Sequence, residues 1–159
     1  MCGSGLGCRK LRSSRSRVGE AREVTTSLTE NSRDVLIRDV FSGRFTPAPL
    51  LTEEFTAQVK RVLSPEGIYL LNCGDSPALA NARREAATVA AAFRHVAIIA
   101  DPPMLKGRRY GNLVIAVSDL PLAVGSGLPR KLLAGAMPAT LWSDAQVREF
   151  AYNQSVFKD

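Results

Sequence analysis

Apolar residues run almost unbroken through Val35-Leu36-Ile37, between Asp34 and Arg38-Asp39. This predicts a strand over Val35–Val40, buried on both faces, with Asp39 at its carboxyl end. The period then changes. Phe55, Val59, Val62 and Leu63 recur at helical spacing behind Thr52, whose hydroxyl suits an N-cap. Glu53 and Glu54 in the first turn suit the helix dipole. The spacing predicts a helix over 52–63, a type I turn over Ser64-Pro65-Glu66-Gly67 and a strand over Ile68–Asn72.

A second helix is expected to open with Ser76 as cap and Pro77 at the first helical position. Leu79, Ala82, Ala86, Val89, Ala90 and Phe93 form its apolar face. Strands over Val96–Ala100 and Asn112–Ser118 follow, separated by the polar loop Asp101–Gly111. That loop is too short for a helical crossover, so the two strands are expected to be antiparallel neighbours in a four-stranded sheet. Glu20–Leu28 reads as a short helix, and Ser143-Asp144-Ala145-Gln146 reads as a capping box opening another towards Tyr152.

Strand, loop, helix and strand in this order form a parallel β-α-β unit. Ligands of such sheets sit beyond the carboxyl ends of the strands, which places Asp39 where chemistry would occur. Asn72, Asp75 and Tyr110 also fall at strand ends and are candidates to line the same crevice.

Composition narrows the class. The chain has 159 residues, 45% hydrophobic and 23% charged, which fits a globular unit with a sizeable core. No apolar run approaches a membrane span. Residues 1–18 hold Arg9, Lys10, Arg12, Arg15 and Arg17 without an acid, so that segment carries most of the net charge of +6. It is read as a solvated, disordered tail, and nucleic acid is not the expected partner. Gly3, Gly5 and Gly7 lack the preceding strand that a phosphate loop needs. Cys2, Cys8 and Cys73 show no metal-binding or disulfide spacing, and no secretory signal is visible. A reducing, cytoplasmic setting is expected. No metal site is expected. His95 is the only histidine, and Trp142 is read as a packing anchor.

Several motifs occur in a set order: Gly19-Glu20-Ala21-Arg22-Glu23-Val24, then Asp34 through Gly43, then Leu51-Thr52-Glu53-Glu54-Phe55 and Leu63-Ser64-Pro65-Glu66-Gly67. Tyr110-Gly111-Asn112-Leu113-Val114 adds a weaker match. Across residues 19–120 the chain resembles the spermidine synthase (polyamine aminopropyltransferase) family. The resemblance implies an α/β fold: the second half of a Rossmann-like, class I methyltransferase-type three-layer α/β/α sheet, mostly parallel with a C-terminal antiparallel strand. Residues 121–159 would then be an extension with short helices.

The same resemblance implies transfer of an aminopropyl group from decarboxylated S-adenosylmethionine to a small-molecule amine. Glu20, with Ala21, stands where the family contacts adenine. Asp39 stands where the family binds and deprotonates the attacking amine. Such chemistry is sensible, because an ammonium must lose its proton before it attacks carbon, and a carboxylate can hold it and accept that proton.

Three departures from the family pattern stand beside this. There is no room ahead of Gly19 for the Gly-rich loop and the ribose-binding acid. Ser42 replaces a second aspartate, and Arg38 and Arg44 flank Asp39 with positive charge. The expectation is an incomplete domain with no tightly bound cofactor, decarboxylated or ordinary S-adenosylmethionine being the candidate cosubstrate. An exposed sheet edge is expected to promote homo-oligomers. An S-adenosylmethionine-dependent methyltransferase and a non-catalytic remnant are the alternatives on this scaffold.

Overall fold

A computed structural model describes residues 17–122 and 127–159. The glycines at 3, 5 and 7, Cys2, Cys8 and nearly all of the expected disordered tail lie outside the described residues. Five strands form one sheet: β1 (Arg33–Arg38), β2 (Leu63–Asp75), β3 (His95–Ala100), β4 (Gly111–Ser118) and β5 (Thr140–Trp142). The helices are α1 (Ala21–Thr26), α2 (Glu53–Val62), α3 (Ala80–Ala92), α4 (Pro102–Leu105), α5 (Leu128–Leu133) and α6 (Asp144–Phe150). The spatial strand order is β1-β2-β4-β3-β5. β1 and β2 pair in parallel, and β4 is inserted antiparallel between β2 and β3. β1, β2 and β3 therefore share one direction, and the expected antiparallel pairing of the last two predicted strands is present.

Alternation builds the core. Tyr69, Leu71 and Cys73 of β2, Leu113, Ile115 and Val117 of β4, and Val96, Ile98 and Ala100 of β3 line up across the register on one face. Phe55 and Val59 of α2, Ala82, Ala86 and Val89 of α3, and Val147 and Phe150 of α6 pack onto that face. Small residues on α3 let its backbone approach the sheet closely. Thr52 caps α2 as its position predicts, accepting the Phe55 N–H at 3.2 Å.

Four expectations need correction. Val35 and Ile37 are 51% and 66% exposed, so β1 is not buried on both faces. It is an edge strand among the described residues, and a covered neighbour is what an apolar run cannot specify. Ser64–Gly67 does not turn the chain. These residues lie in β2, where the register against β1 shifts between Arg33↔Leu63 and Val35↔Ile68, so the extra residues are absorbed as an irregularity.

The second helix starts at Ala80 rather than Pro77, because Ser76–Leu79 forms a turn that leaves Leu79 left-handed at φ 55. The sheet has five strands rather than four. β5 is only three residues long and carries no readable alternation, yet it pairs with β3 through Ile98↔Trp142, Ile99↔Leu141 and Ala100↔Thr140. Trp142 does anchor packing, meeting Phe150 edge-on at 5.2 Å between ring centroids.

Candidate functional site

Asp39 leaves the end of β1 level with β2. Arg38 pairs with Leu71, so the next residue along comes opposite Asn72. Asn72 Nδ2 donates to Asp39 Oδ1 at 2.9 Å. Because side chains alternate along β2, Asn72 faces away from the core that Leu71 and Cys73 enter. Its own Oδ1 is buried without a hydrogen-bond partner among the described residues. The Asp39 carboxylate is exposed and aligned by a single amide.

The loop after β1 folds back over the strand ends. Ser42 and Phe45 bridge each other, with Gly43 between them at φ 65. The carbonyl of Arg44 lies so close to β2 that a Cβ on Gly74 would sit 3.1 Å from it. Tyr110 donates its hydroxyl to the same carbonyl at 3.2 Å, and the Arg44 guanidinium stacks 5.3 Å from the Tyr110 ring centre. A hollow of about 260 Å³ opens beneath this loop, lined by Phe45, Leu51, Cys73, Gly74, Asn81 and Glu85 among others.

Arg38 does not face Asp39, which corrects the expectation of two flanking cations. It points to the helix-covered side, where it pairs with Glu85 of α3 and donates to the Leu50 carbonyl at 2.9 Å. Burial pushes its guanidinium below the usual value, and the neighbouring Tyr69 and Cys73 oppose that effect. The physical reason is the two-residue period of a strand, which sends consecutive residues to opposite faces. Glu85 was not singled out by sequence reasoning. An acid on the alanine-rich apolar face of a helix, and an arginine at the end of an apolar strand, were the available signals.

Asp75 sits at the end of β2 but is turned inward. Its carboxylate accepts the N–H groups of Ser76 and Ala82, each at 2.8 Å, and so caps the start of α3. Glu20 caps α1 by accepting the Glu23 N–H at 2.9 Å. The backbone N–H groups of Arg22 and Glu23 hold its carboxyl below the usual range. Glu20 lines a separate open hollow with Arg22, Glu23, Thr26 and Ser27, while Ala21 packs against the core. The structure thus brings Asp39 and Asn72 together, sets Tyr110 on the adjoining loop, and assigns Asp75 and Glu20 to helix ends. Burial, reinforced by Asp75, pushes the Cys73 thiol up to about 12.

No family model and no curated protein matches this chain. Solved structures do. A probable spermidine synthase from Corynebacterium glutamicum ATCC 13032 aligns over 90% of this chain at 44% identity and a TM-score of 0.84. The chain is spermidine synthase-like. It spans about half of that protein, 53% of its length. The spermidine synthase of Thermotoga maritima shares 14% identity at a TM-score of 0.53, covering 89% of this chain and 42% of its own. A spermidine synthase in complex with the transition-state analogue AdoDATO gives 14% and 0.54, covering 84% of this chain and 45% of its own. These two show the shared fold. The α/β class expected from the sequence is thereby established, with β4 antiparallel inside the sheet as the resemblance implies.

No described helix is long and apolar enough to cross a membrane. Among the described residues no three His, Cys, Asp or Glu side chains converge as a metal site would require.

Proposed function

We propose that these residues form the amine-binding part of an aminopropyl-transfer site that uses decarboxylated S-adenosylmethionine. The supporting observation is the Asp39–Asn72 pair at the open strand end of a chain 44% identical to a probable spermidine synthase. Asp39 receives the ammonium of the acceptor, and Asn72 fixes the carboxylate oxygen that does so. The proton passes to Asp39 as nitrogen attacks the propyl carbon beside the sulfonium. The electrons of the broken carbon–sulfur bond return to sulfur, leaving a neutral thioether. Holding amine and sulfonium in line supplies much of the remaining acceleration.

Tyr110, with Arg44 stacked on it, forms the rim of this crevice. Glu20 and Ala21, at the start of α1, are the positions for the adenine amino group. The burial of Arg38 against Glu85 removes one of the two cations that would repel a polyamine. The structure-matched length is about half of the related enzyme, and the nucleoside needs donors beyond Glu20.

The test is mass spectrometry of a diamine incubated with the protein carrying residues 1–159 and millimolar decarboxylated S-adenosylmethionine, far above the weak affinity expected of this chain alone. Aminopropyl product that disappears in Asp39→Asn, with nucleoside binding retained, is the expected result. Undiminished transfer by Asp39→Asn would overturn the assignment.

A further inference from the structure

We propose, resting on the reading of Asp39 as the amine site, that the acceptor is a short ω-amino carboxylate rather than a diamine, and that Arg44 holds its anionic end. The contacts that set Arg44 all come from this chain. Ser42 and Phe45 close a tight turn, the Ser42 N–H donating to the Phe45 carbonyl at 2.8 Å. Gly43 and Arg44 are its central residues, and of these Gly43 alone has a positive φ, the pattern of a type II′ turn. Arg44 therefore stands at the tip of a short, closed loop. Its carbonyl accepts the Tyr110 hydroxyl, and its guanidinium lies over the Tyr110 ring. A guanidinium stacked by its face keeps its N–H groups along the edge, in the fork that matches a carboxylate.

Asp39 and Arg44 look onto one crevice. Asn72, which aligns Asp39, and Gly74, which lies against the Arg44 carbonyl, share a face of β2. Two residues of strand set these levels about 7 Å apart. A short methylene chain with a charged group at each end spans such a gap.

The charges around the crevice select the second group. Asp75 is committed to the N–H groups at the start of α3, Glu85 to Arg38, and Asp101 to Arg109 and the Met104 N–H. Asp39 stays exposed. Lys106 and Arg108, exposed on the loop that carries Tyr110, add positive charge beside Arg44. A diamine held by one ammonium at Asp39 brings its second towards these cations, whereas a carboxylate meets them with opposite sign. The transfer step is unchanged. The amino nitrogen bonds to the propyl carbon, its proton goes to Asp39, and the carbon–sulfur pair returns to sulfur. The carboxylate takes no part and stays on Arg44.

Nuclear magnetic resonance titration of the 159-residue chain at low salt tests this, with γ-aminobutyrate, putrescine and butylamine as amines of matched length. γ-Aminobutyrate should shift both the Asn72 side-chain amide and the Arg44 Nε–H. It should saturate at a concentration about tenfold lower than putrescine, since it gains a charge-assisted pair. Butylamine should shift the Asn72 amide alone. Arg44→Glu, with its fold checked by circular dichroism, should reverse the preference. Putrescine binding as tightly as γ-aminobutyrate, γ-aminobutyrate shifts that leave Arg44 unmoved, an unreversed preference, or no saturable binding by any of the three overturns the proposal. Mass spectrometry of the same amines with millimolar decarboxylated S-adenosylmethionine separates this proposal from the function beneath it. More product from γ-aminobutyrate than from putrescine supports both. Product from putrescine alone overturns the acceptor class and leaves the transfer site standing. No product from any amine, with the titration as expected, overturns the transfer reading and supports the Arg44 carboxylate site.

Discussion

Arg38 at the end of β1 and Glu85 in the middle of α3 form an ion pair in which both side chains are almost wholly removed from water, at 3% and 2% exposure. The pair ties the edge strand to the helix layer directly beneath the proposed amine site. Removing one partner leaves a buried, uncompensated charge. Glu85→Ala is expected to lower stability by about 3–5 kcal/mol, whereas Arg38→Met combined with Glu85→Leu should cost far less. Urea unfolding monitored by circular dichroism separates these outcomes, and equal destabilisation by the single and double variants would show that packing rather than charge dominates.

Gly74 is where the loop after β1 crosses β2. A methyl group there meets the Arg44 carbonyl at 3.1 Å and Asn112 Oδ1 at 3.3 Å. Gly74→Val should displace the 41–46 loop and release the Tyr110 hydroxyl from Arg44, with the core intact. Tyr110 fluorescence and amide shifts confined to this loop are the expected signature. Shifts spreading through β3 and β4 would contradict it.

Asn72 aligns Asp39 through one hydrogen bond. Asn72→Ala should reduce transfer efficiency by about fivefold, the equivalent of a hydrogen bond worth roughly 1 kcal/mol. Asp39→Asn should abolish transfer. Equal losses in the two variants would mean that Asn72 touches the substrate itself.

Nucleoside affinity is expected to be low in the 159-residue chain alone. One hydrogen bond from Glu20 contributes about 0.5–1.5 kcal/mol, while micromolar binding needs about 8 kcal/mol. Calorimetry with decarboxylated S-adenosylmethionine should give a dissociation constant well above micromolar. A micromolar value would show that other residues of the chain complete the pocket.

Alkali should unfold the protein. Burial raises both Tyr69 and Cys73 to about 12, from ordinary values of 10.0 and 9.0. The unfolded chain therefore ionises first, and the stability from keeping both groups neutral is complete below about pH 9. It is lost as pH rises towards 12, at up to about 1.4 kcal/mol per group per pH unit. The urea midpoint should fall steadily over that window, and Tyr69→Phe should flatten the slope.

The local signals were sufficient for α2, α3 and the cores of β1 to β4. Each rests on periodicity or on a cap within a few residues: Thr52 before α2, alanines along α3, and alternating apolar residues in β4. The motif order from Gly19 to Gly67 also carries the likeness to spermidine synthases. What depended on distant neighbours was not legible. An apolar run reads the same in a central strand and in an edge strand, so the exposure of Val35 and Ile37 was settled only by which strands adjoin β1. The partner of Arg38 lies 47 residues away, on a helix whose phase against the sheet no local pattern encodes. Asp75 became a cap because α3 begins at Ala80, and β5 became a strand only because β3 offered it an edge. Sequence determined the elements through short-range backbone and side-chain preferences. Tertiary structure decided which charges are buried, which of the described strands has an open edge and which carboxylate stays exposed, because each depends on contacts between residues far apart in the chain.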